Sequence, residues 1–309
     1  MKEFPKKEVF RLLRVDKSSF YRRQRLKKDE DALALSVGQI FWRHSRRYGS
    51  RRIHAEMRAE GVSIGRHRIR KVMDASGLKA IQPKSFVPRT TNSCHSLGYS
   101  PNLLLEMKLP PAAPLRVVVG DITYLPLAGG GWAYLATWTD LFSRLILGWA
   151  VMDEMTEDLI IEAFLKLTRR VKLPALCIIH SDRGGQYASK KFRQLLKMNR
   201  CQQSMSRAGE TYDNAFAESL FSRYKAELLE AGRFIDTEEA RMETFNYIDG
   251  YYNRIRRHSS LGYLSPLDFE AAYRQRDENR AVFISLTPNS IDKISTKGVK
   301  PKQHSCPTF

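Results

Sequence analysis

Three acids in this chain occupy positions where a carboxylate could act on a substrate. Asp182 follows an apolar run (Leu176, Cys177, Ile178, Ile179) and the pair His180-Ser181 in "IIHSDRGGQYAS", with a Gly-Gly turn behind it. Asp121 follows a second apolar run, Val117 to Val119, and Glu218 lies in "NAFAESLFSRYK", with 35 residues between it and Asp182. A carboxylate at the tip of a buried strand has escaped the packed interior, and in mixed α/β sheets function gathers at strand ends. If the strands carrying Asp121 and Asp182 are neighbours, their carboxylates meet, and Glu218 can join them from a helix. Clustered like charges repel and raise one another's pKa. Divalent cations remove that cost, and magnesium prefers a few hard oxygen ligands together with substrate phosphates. Two such ions about 3.5–4 Å apart activate an attacking oxygen and stabilise a leaving one in phosphoryl transfer. Taken singly, Asp121 could end a hairpin, Asp182 could be a turn residue and Glu218 a solvated helix residue. Asp140, closing the next strand, and Asp213, beside the start of the long helix, are rival acids that spacing does not exclude.

The elements that must position these acids follow from periodicity. "LRVVVGDITYL", "WAYLATWTD" and "SRLILGWAVM" read as three strands of an antiparallel meander, with "PLAGGG" as a hairpin turn rather than a phosphate loop, since no Gly-Lys-Ser/Thr follows. A helix is predicted from about Thr156 to Arg170, then a fourth strand, "ALCIIH". Beyond it come a helix from about Ser189 to Met198, a short strand "CQQSMS" and a long helix from about Asn214 to Leu229. Strands first in a run and then alternating with helices make a mixed α/β sheet. Further helices are predicted from about Thr237 to Arg254 and, after "HSSLGYLSPLDF", to about Arg276, with the tail from Asp277 poorly ordered.

The N-terminal third is different. Residues 1–100 carry 24 Lys and Arg against 9 acids, whereas the rest carries 28 against 24, so most of the net +19 belongs to this part. Such a charge suggests a polyanion partner, nucleic acid above all. Residues 1–28 read as a helical hairpin, with "RQRLKKDED" as a polar connection to another helical pattern at 33–48. Ser50 can cap a helix with Ile53 and Met57 on one face, ended by Gly61. After "GVSIG", a second helix turns Ile69, Val72 and Met73 inward and Arg66, His67, Arg68, Arg70 and Lys71 outward. Two short helices joined by a glycine turn, the second studded with basic groups, describe a helix-turn-helix, with Arg66, Arg68, Arg70 and Lys71 as candidate DNA contacts. Residues 83–114, rich in Pro, Ser, Thr and Asn, read as a linker. The four cysteines form no CxxC pair and support no zinc site, and a reducing compartment, the cytoplasm, is expected. No stretch approaches ~18 uninterrupted apolar residues, so a membrane partner is not expected.

At the acids, the sequence resembles the transposases of bacterial insertion sequences that carry a retroviral-integrase-type core, in particular their second-reading-frame catalytic product. The 35-residue spacing matches that superfamily's D-D(35)-E signature. "DITYL", "TDLFSRLILGWA", "HSDRGGQYAS", "SMSRAGETYDNAFAESLFSRYKAEL" and "YNRIRRHSSLGYLSP" fit as well. The segment "RRYGSRRIHAEMRAEGVSIGRHRIRKVM" is similar to the helix-turn-helix that precedes the core. The resemblance covers roughly residues 5–275.

The resemblance implies a ribonuclease-H-like core with Asp121, Asp182 and Glu218 as the metal-binding catalytic triad, preferring Asp121 over Asp140. It also implies that Lys225, seven residues after Glu218 and so close to two helical turns away, touches substrate phosphate. Expected domains are a basic helical region at 1–82, the linker, a catalytic core at 115–232, a helical extension at 233–276 and the tail at 277–309. The expected activity is DNA transposition: nicking of element ends and strand transfer with two Mg2+ ions, for which Mn2+ can substitute. The implied partners are double-stranded DNA (terminal repeats and target), further copies of the chain in a homo-multimer, and an upstream-frame protein present as a fusion. A nuclease without strand transfer and a non-catalytic DNA-binding regulator are the alternatives. One departure is "VVVGD", where many relatives have Trp shortly before the first aspartate.

Overall fold

The computed structural model describes residues 10–82, 98–207, 215–229 and 232–286, apart from 13, 15, 106, 108 and 109; side chains of 215–218 and beyond 278 lie outside the description. Five strands form the central sheet: β1 (Val117–Pro126), β2 (Trp132–Asp140), β3 (Ile146–Met152), β4 (Ile178–Ser181) and β5 (Gln202–Met205). Their order is β3-β2-β1-β4-β5. The first three pair antiparallel as the predicted meander, while β1–β4 and β4–β5 pair parallel. This is the ribonuclease-H-like arrangement, and it makes β1 and β4 neighbours.

The helices, in chain order, are α1 (Lys17–Arg43), α2 (Ser50–Ala59), α3 (Arg66–Ala75), α4 (Glu157–Arg170), α5 (Lys190–Met198), α6 (Ala215–Leu229), α7 (Thr237–Phe245) and α8 (Pro266–Leu286). A single turn, Gly185–Ala188, precedes α5, and a π-helical segment, Asn246–Tyr252, continues α7. One face of the sheet is covered by α4 and α5, where Trp138, Phe164, Tyr187 and Phe192 pack together. The other is covered by α6, α7 and the π segment through Leu220, Phe221, Tyr224, Tyr247 and Ile248. A separate apolar cluster (Val37, Ile40, Phe41, Tyr48, Ile53, Met57, Ile69, Met73) holds α1, α2 and α3 together.

Three local predictions need correction. The predicted break between two N-terminal helical patterns is absent, because α1 runs unbroken through "RQRLKKDED". That stretch has no Gly or Pro and is dominated by straight-chain residues that lose little freedom in a helix. The cap of α2 is Gly49 rather than Ser50. The last helix continues ten residues past Arg276 to Leu286, since nothing in "DENRAVFISL" breaks it. The expected helix terminators do act as such: Gly61 and Gly77 take left-handed φ values of 82° and 65° just past α2 and α3. No helix among the described residues is long and apolar enough to cross a membrane.

Candidate active site

The β1–β4 register pairs Val117 with Ile178, Val118 with Ile179 and Val119 with His180. Two residues beyond the last of these pairs come Asp121, still within β1, and Asp182, just past the end of β4. Both are half-buried. Apolar residues that pair along buried strands thus set the register, and the acids stand where β4 has ended and β1 continues.

Local bonds orient each carboxylate. Asp121 Oδ1 accepts from the Ile122 N–H (2.9 Å), and Asp182 Oδ1 accepts from the Gly184 N–H (2.9 Å) in a tight turn. A Cβ at position 184 would stand 3.1 Å from Asp182 Oδ1 and 2.9 Å from Gln186 Oε1, so both side chains lie close over this backbone. Gln186 donates to the Met155 carbonyl (3.0 Å) and Arg183 Nε to the Ser206 carbonyl (2.7 Å), tying the turn to the body. His180 is fully buried, with Nδ1 bonded to Ser204 Oγ (2.8 Å) and Nε2 to Ser206 Oγ (3.2 Å). Both imidazole nitrogens are therefore spent on joining β4 to β5, and His180 is not a free metal ligand.

Two further groups crowd the acids. Lys225 of α6 is half-buried; burial pulls its ammonium below the ordinary lysine range, and the nearby Asp121 carboxylate partly offsets this. Tyr187 is buried, with its hydroxyl lacking any hydrogen-bond partner among the described residues. Burial drives its phenol well above the usual value, and the fields of Asp182 and Asp121 push it further. Tyr187 stands in the motif that marks Asp182, but an aromatic there reads as core, so its nearness to both acids was not legible.

Glu218 lies in the first turn of α6, seven residues before Lys225 and on the same helical face; its side chain lies outside the described residues. Asp213 also lies outside them. Asp140 is accounted for otherwise: fully buried, it accepts from the Leu115 N–H (2.9 Å), the Ser143 N–H (2.7 Å) and Ser143 Oγ (2.6 Å). Burial raises its pKa and those bonds oppose the rise, as suits an acid bracing the β2–β3 corner. Among the described residues, no group of three His, Cys, Asp or Glu gathers as a metal site. In the N-terminal part, Arg66, Arg68, Arg70 and Lys71 are all exposed on α3, while Ile69 and Met73 face inward.

The chain also matches known proteins in sequence. Residues 28–86 match an HTH-like domain, and residues 111–211 and 199–266 match integrase core domains. The chain is similar to the transposase InsF for insertion sequence IS3A of Escherichia coli (strain K12), with 38% identity over 278 residues, 87% of this chain and 94% of that protein. It is 37% identical over 249 residues to the insertion element IS600 uncharacterized 31 kDa protein of Shigella sonnei, covering 81% of this chain and 90% of that one. Among solved structures it is similar to the HTLV-2 integrase catalytic core domain in complex with magnesium, with TM-score 0.37 and 17% identity over 52% of this chain and 97% of that one. With more than a third of its residues identical along nearly the full length of an IS3 transposase, the chain belongs to the insertion-sequence transposases of the IS3 type, DDE-type enzymes of DNA transposition and integration.

Proposed function

We propose that Asp121, Asp182 and Glu218 form the catalytic acids of this transposase, that they hold magnesium, and that Lys225 contacts a phosphate of the substrate. The observation that supports this reading is the β1–β4 pairing, whose last pair lies two residues before both Asp121 and Asp182, with Lys225 of α6 close enough to feel the Asp121 charge. The donor types fit a hard cation: Asp121, Asp182 and Glu218 are all carboxylates, and the His180 imidazole is engaged by two serines. Magnesium, when bound, would polarise a phosphodiester and lower the pKa of a water.

The chain's own residues prepare for that chemistry. The Gly184 N–H holds the Asp182 carboxylate in one orientation, so less freedom is lost when it takes up a ligand. Lys225, already partly desolvated, offers a cation to a phosphate at little further cost. In the first reaction, a water oxygen attacks phosphorus at the element's end and the 3′ oxygen leaves with a proton, giving a 3′ hydroxyl and a 5′ phosphate. That hydroxyl then attacks a target phosphodiester, forming a new P–O bond while the target's 3′ oxygen departs. No protein–DNA bond forms.

In this reading, residues 1–82 grip DNA through Arg66, Arg68, Arg70 and Lys71. Residues 83–114 connect that unit to a catalytic core at 115–232, and 233–276 form the core's helical extension. Copies of the chain assemble around two element ends, and an upstream-frame protein joins as a fusion. The test is a strand-transfer assay on labelled element ends with magnesium, with manganese, with chelator, and with Asp121→Asn, Asp182→Asn and Glu218→Gln. Each acid variant should lose both nicking and joining by about a thousandfold, as losing ~4 kcal/mol of transition-state stabilisation implies. Hydrolysis of a supplied end without any joined product would instead favour a plain nuclease.

A further inference from the structure

The last turns of α6 also reach a second site through Glu227. Glu227 comes two residues after Lys225, a rotation of about 200°, so it leaves the face turned to Asp121 and enters the seam between the core and the N-terminal unit. There it is buried. Its carboxylate accepts from Arg256 Nε (2.8 Å) and Tyr247 Oη (2.9 Å), and Arg52 of α2 stands 3.9 Å away. Burial opposes ionisation of Glu227, but the bonds and charge of Arg256, with Arg52 and the Tyr247 hydroxyl, together outweigh it and hold the carboxyl below its ordinary range.

The N-terminal unit grips the same place. Arg47 Nε donates to the Glu227 carbonyl (3.2 Å), and its guanidinium lies 4.6 Å over the Tyr251 ring. Tyr48 Oη donates to the Ile255 carbonyl (3.3 Å) and accepts from the Arg257 N–H (2.8 Å). Arg52 Nε donates to the Arg257 carbonyl (3.0 Å), and Arg257 returns to pair with Glu56 of α2. Most of these bonds end on backbone atoms, whose positions cannot adjust as long side chains can.

Domains within one chain ordinarily move relative to each other unless a large apolar interface holds them. This seam is instead polar and directional. A buried ion pair adds little net stability, because desolvation cancels most of its attraction, but it tolerates few geometries. We propose that Glu227, with Arg256, Arg52 and Tyr48, is a positioning set. It locks the DNA-reading helix α3 at a set angle to the catalytic helix α6, so that recognition of an element end determines which phosphodiester reaches Asp121 and Asp182. This rests on the catalytic and DNA-contact assignments above.

The test uses the full chain and duplexes carrying the terminal repeats of its own insertion sequence. Tyr48→Phe keeps the ring but removes both seam bonds, and Glu227→Gln keeps the shape but removes the charge. Both variants should bind the duplex within threefold of wild type. Nicking at the wild-type position should fall 10- to 100-fold, and the nicks should spread over neighbouring phosphodiesters. A single nick position retained at a near wild-type rate overturns the proposal. So does a parallel loss of binding and cutting, which a merely structural role would produce. If wild type does not nick either alone or fused to the upstream-frame protein, the catalytic assignment is at fault, and hydrogen exchange then decides the seam. Added duplex should slow exchange at residues 219–229 in wild type and not in Tyr48→Phe, while α3 is protected in both. Equal slowing in both, or none in wild type, overturns it.

Discussion

The Trp138 ring lies directly against the backbone of Gly120, its cross-strand partner: a methyl group at position 120 would stand 2.1 Å from Trp138 Cζ3. Trp138 is fully buried, stacks on Phe192 and donates its indole N–H to the Ile160 carbonyl (3.1 Å), so it cannot retreat. Gly120→Ala is therefore expected to destabilise the fold by about 3 kcal/mol, the upper end for overpacking a filled core. Chemical denaturation followed by tryptophan fluorescence would measure it; an unchanged midpoint contradicts the packing described.

Tyr187 offers the opposite case. Its buried hydroxyl lacks a partner among the described residues, and an unmatched buried polar group costs free energy. Tyr187→Phe keeps the ring against Trp138 and Phe192. It should stabilise the metal-free protein by about 1 kcal/mol. A lower melting temperature for this variant would mean that the hydroxyl is bonded after all.

Acid should loosen the seam. His44 stacks on Tyr48 with ring centroids 3.7 Å apart, and burial, helped by Arg43, Arg257 and Arg47 against the pull of Glu56, brings its pKa down to about 4. Burial, followed by Arg256, takes His258 down to about 2. In the unfolded chain both titrate near 6.5. Between about pH 6.5 and 4 the unfolded chain therefore binds more protons than the folded one, so stability is full above that range and is lost as pH falls through it. Melting temperature should drop from pH 7 to pH 5, and His44→Gln should shrink the drop. An equal drop in the variant would remove His44 from the account.

On α3, Arg68→Ala and Lys71→Ala should each weaken duplex binding across sequences alike. Each should also lower the slope of log affinity against log salt by about one, as expected for a lost phosphate contact. Binding titrations at several salt concentrations would show it, and an unchanged slope would assign these side chains to solvent.

How much of this was readable in the residues follows from the kind of signal. β1 and β4 were visible because apolar runs end in polar punctuation, and the last pair between them lies two residues before both Asp121 and Asp182. The helix-turn-helix was visible because two glycines stop its helices. The continuity of α1 was not: a polar, charged stretch has the same composition whether it is a loop or a solvated helix. Nor was the seam legible. Glu227 and Arg256 are charged residues far apart in sequence, each typical of a wet surface, and only the folded chain reveals that they are buried against one another. The role of Asp140 was equally hidden, since a turn acid and a catalytic acid look alike until the donors around the carboxylate are known.

Helix α6 carries Glu218 in its first turn and Lys225 and Glu227, on different faces, near its C-terminal end, which makes it a shaft with a fixed phase. One inserted residue between the two ends would turn them by about 100° and part them by about 1.5 Å. Drift in this stretch can therefore exchange letters but not add or remove them, and a single-codon deletion there should be as damaging as the loss of an acid.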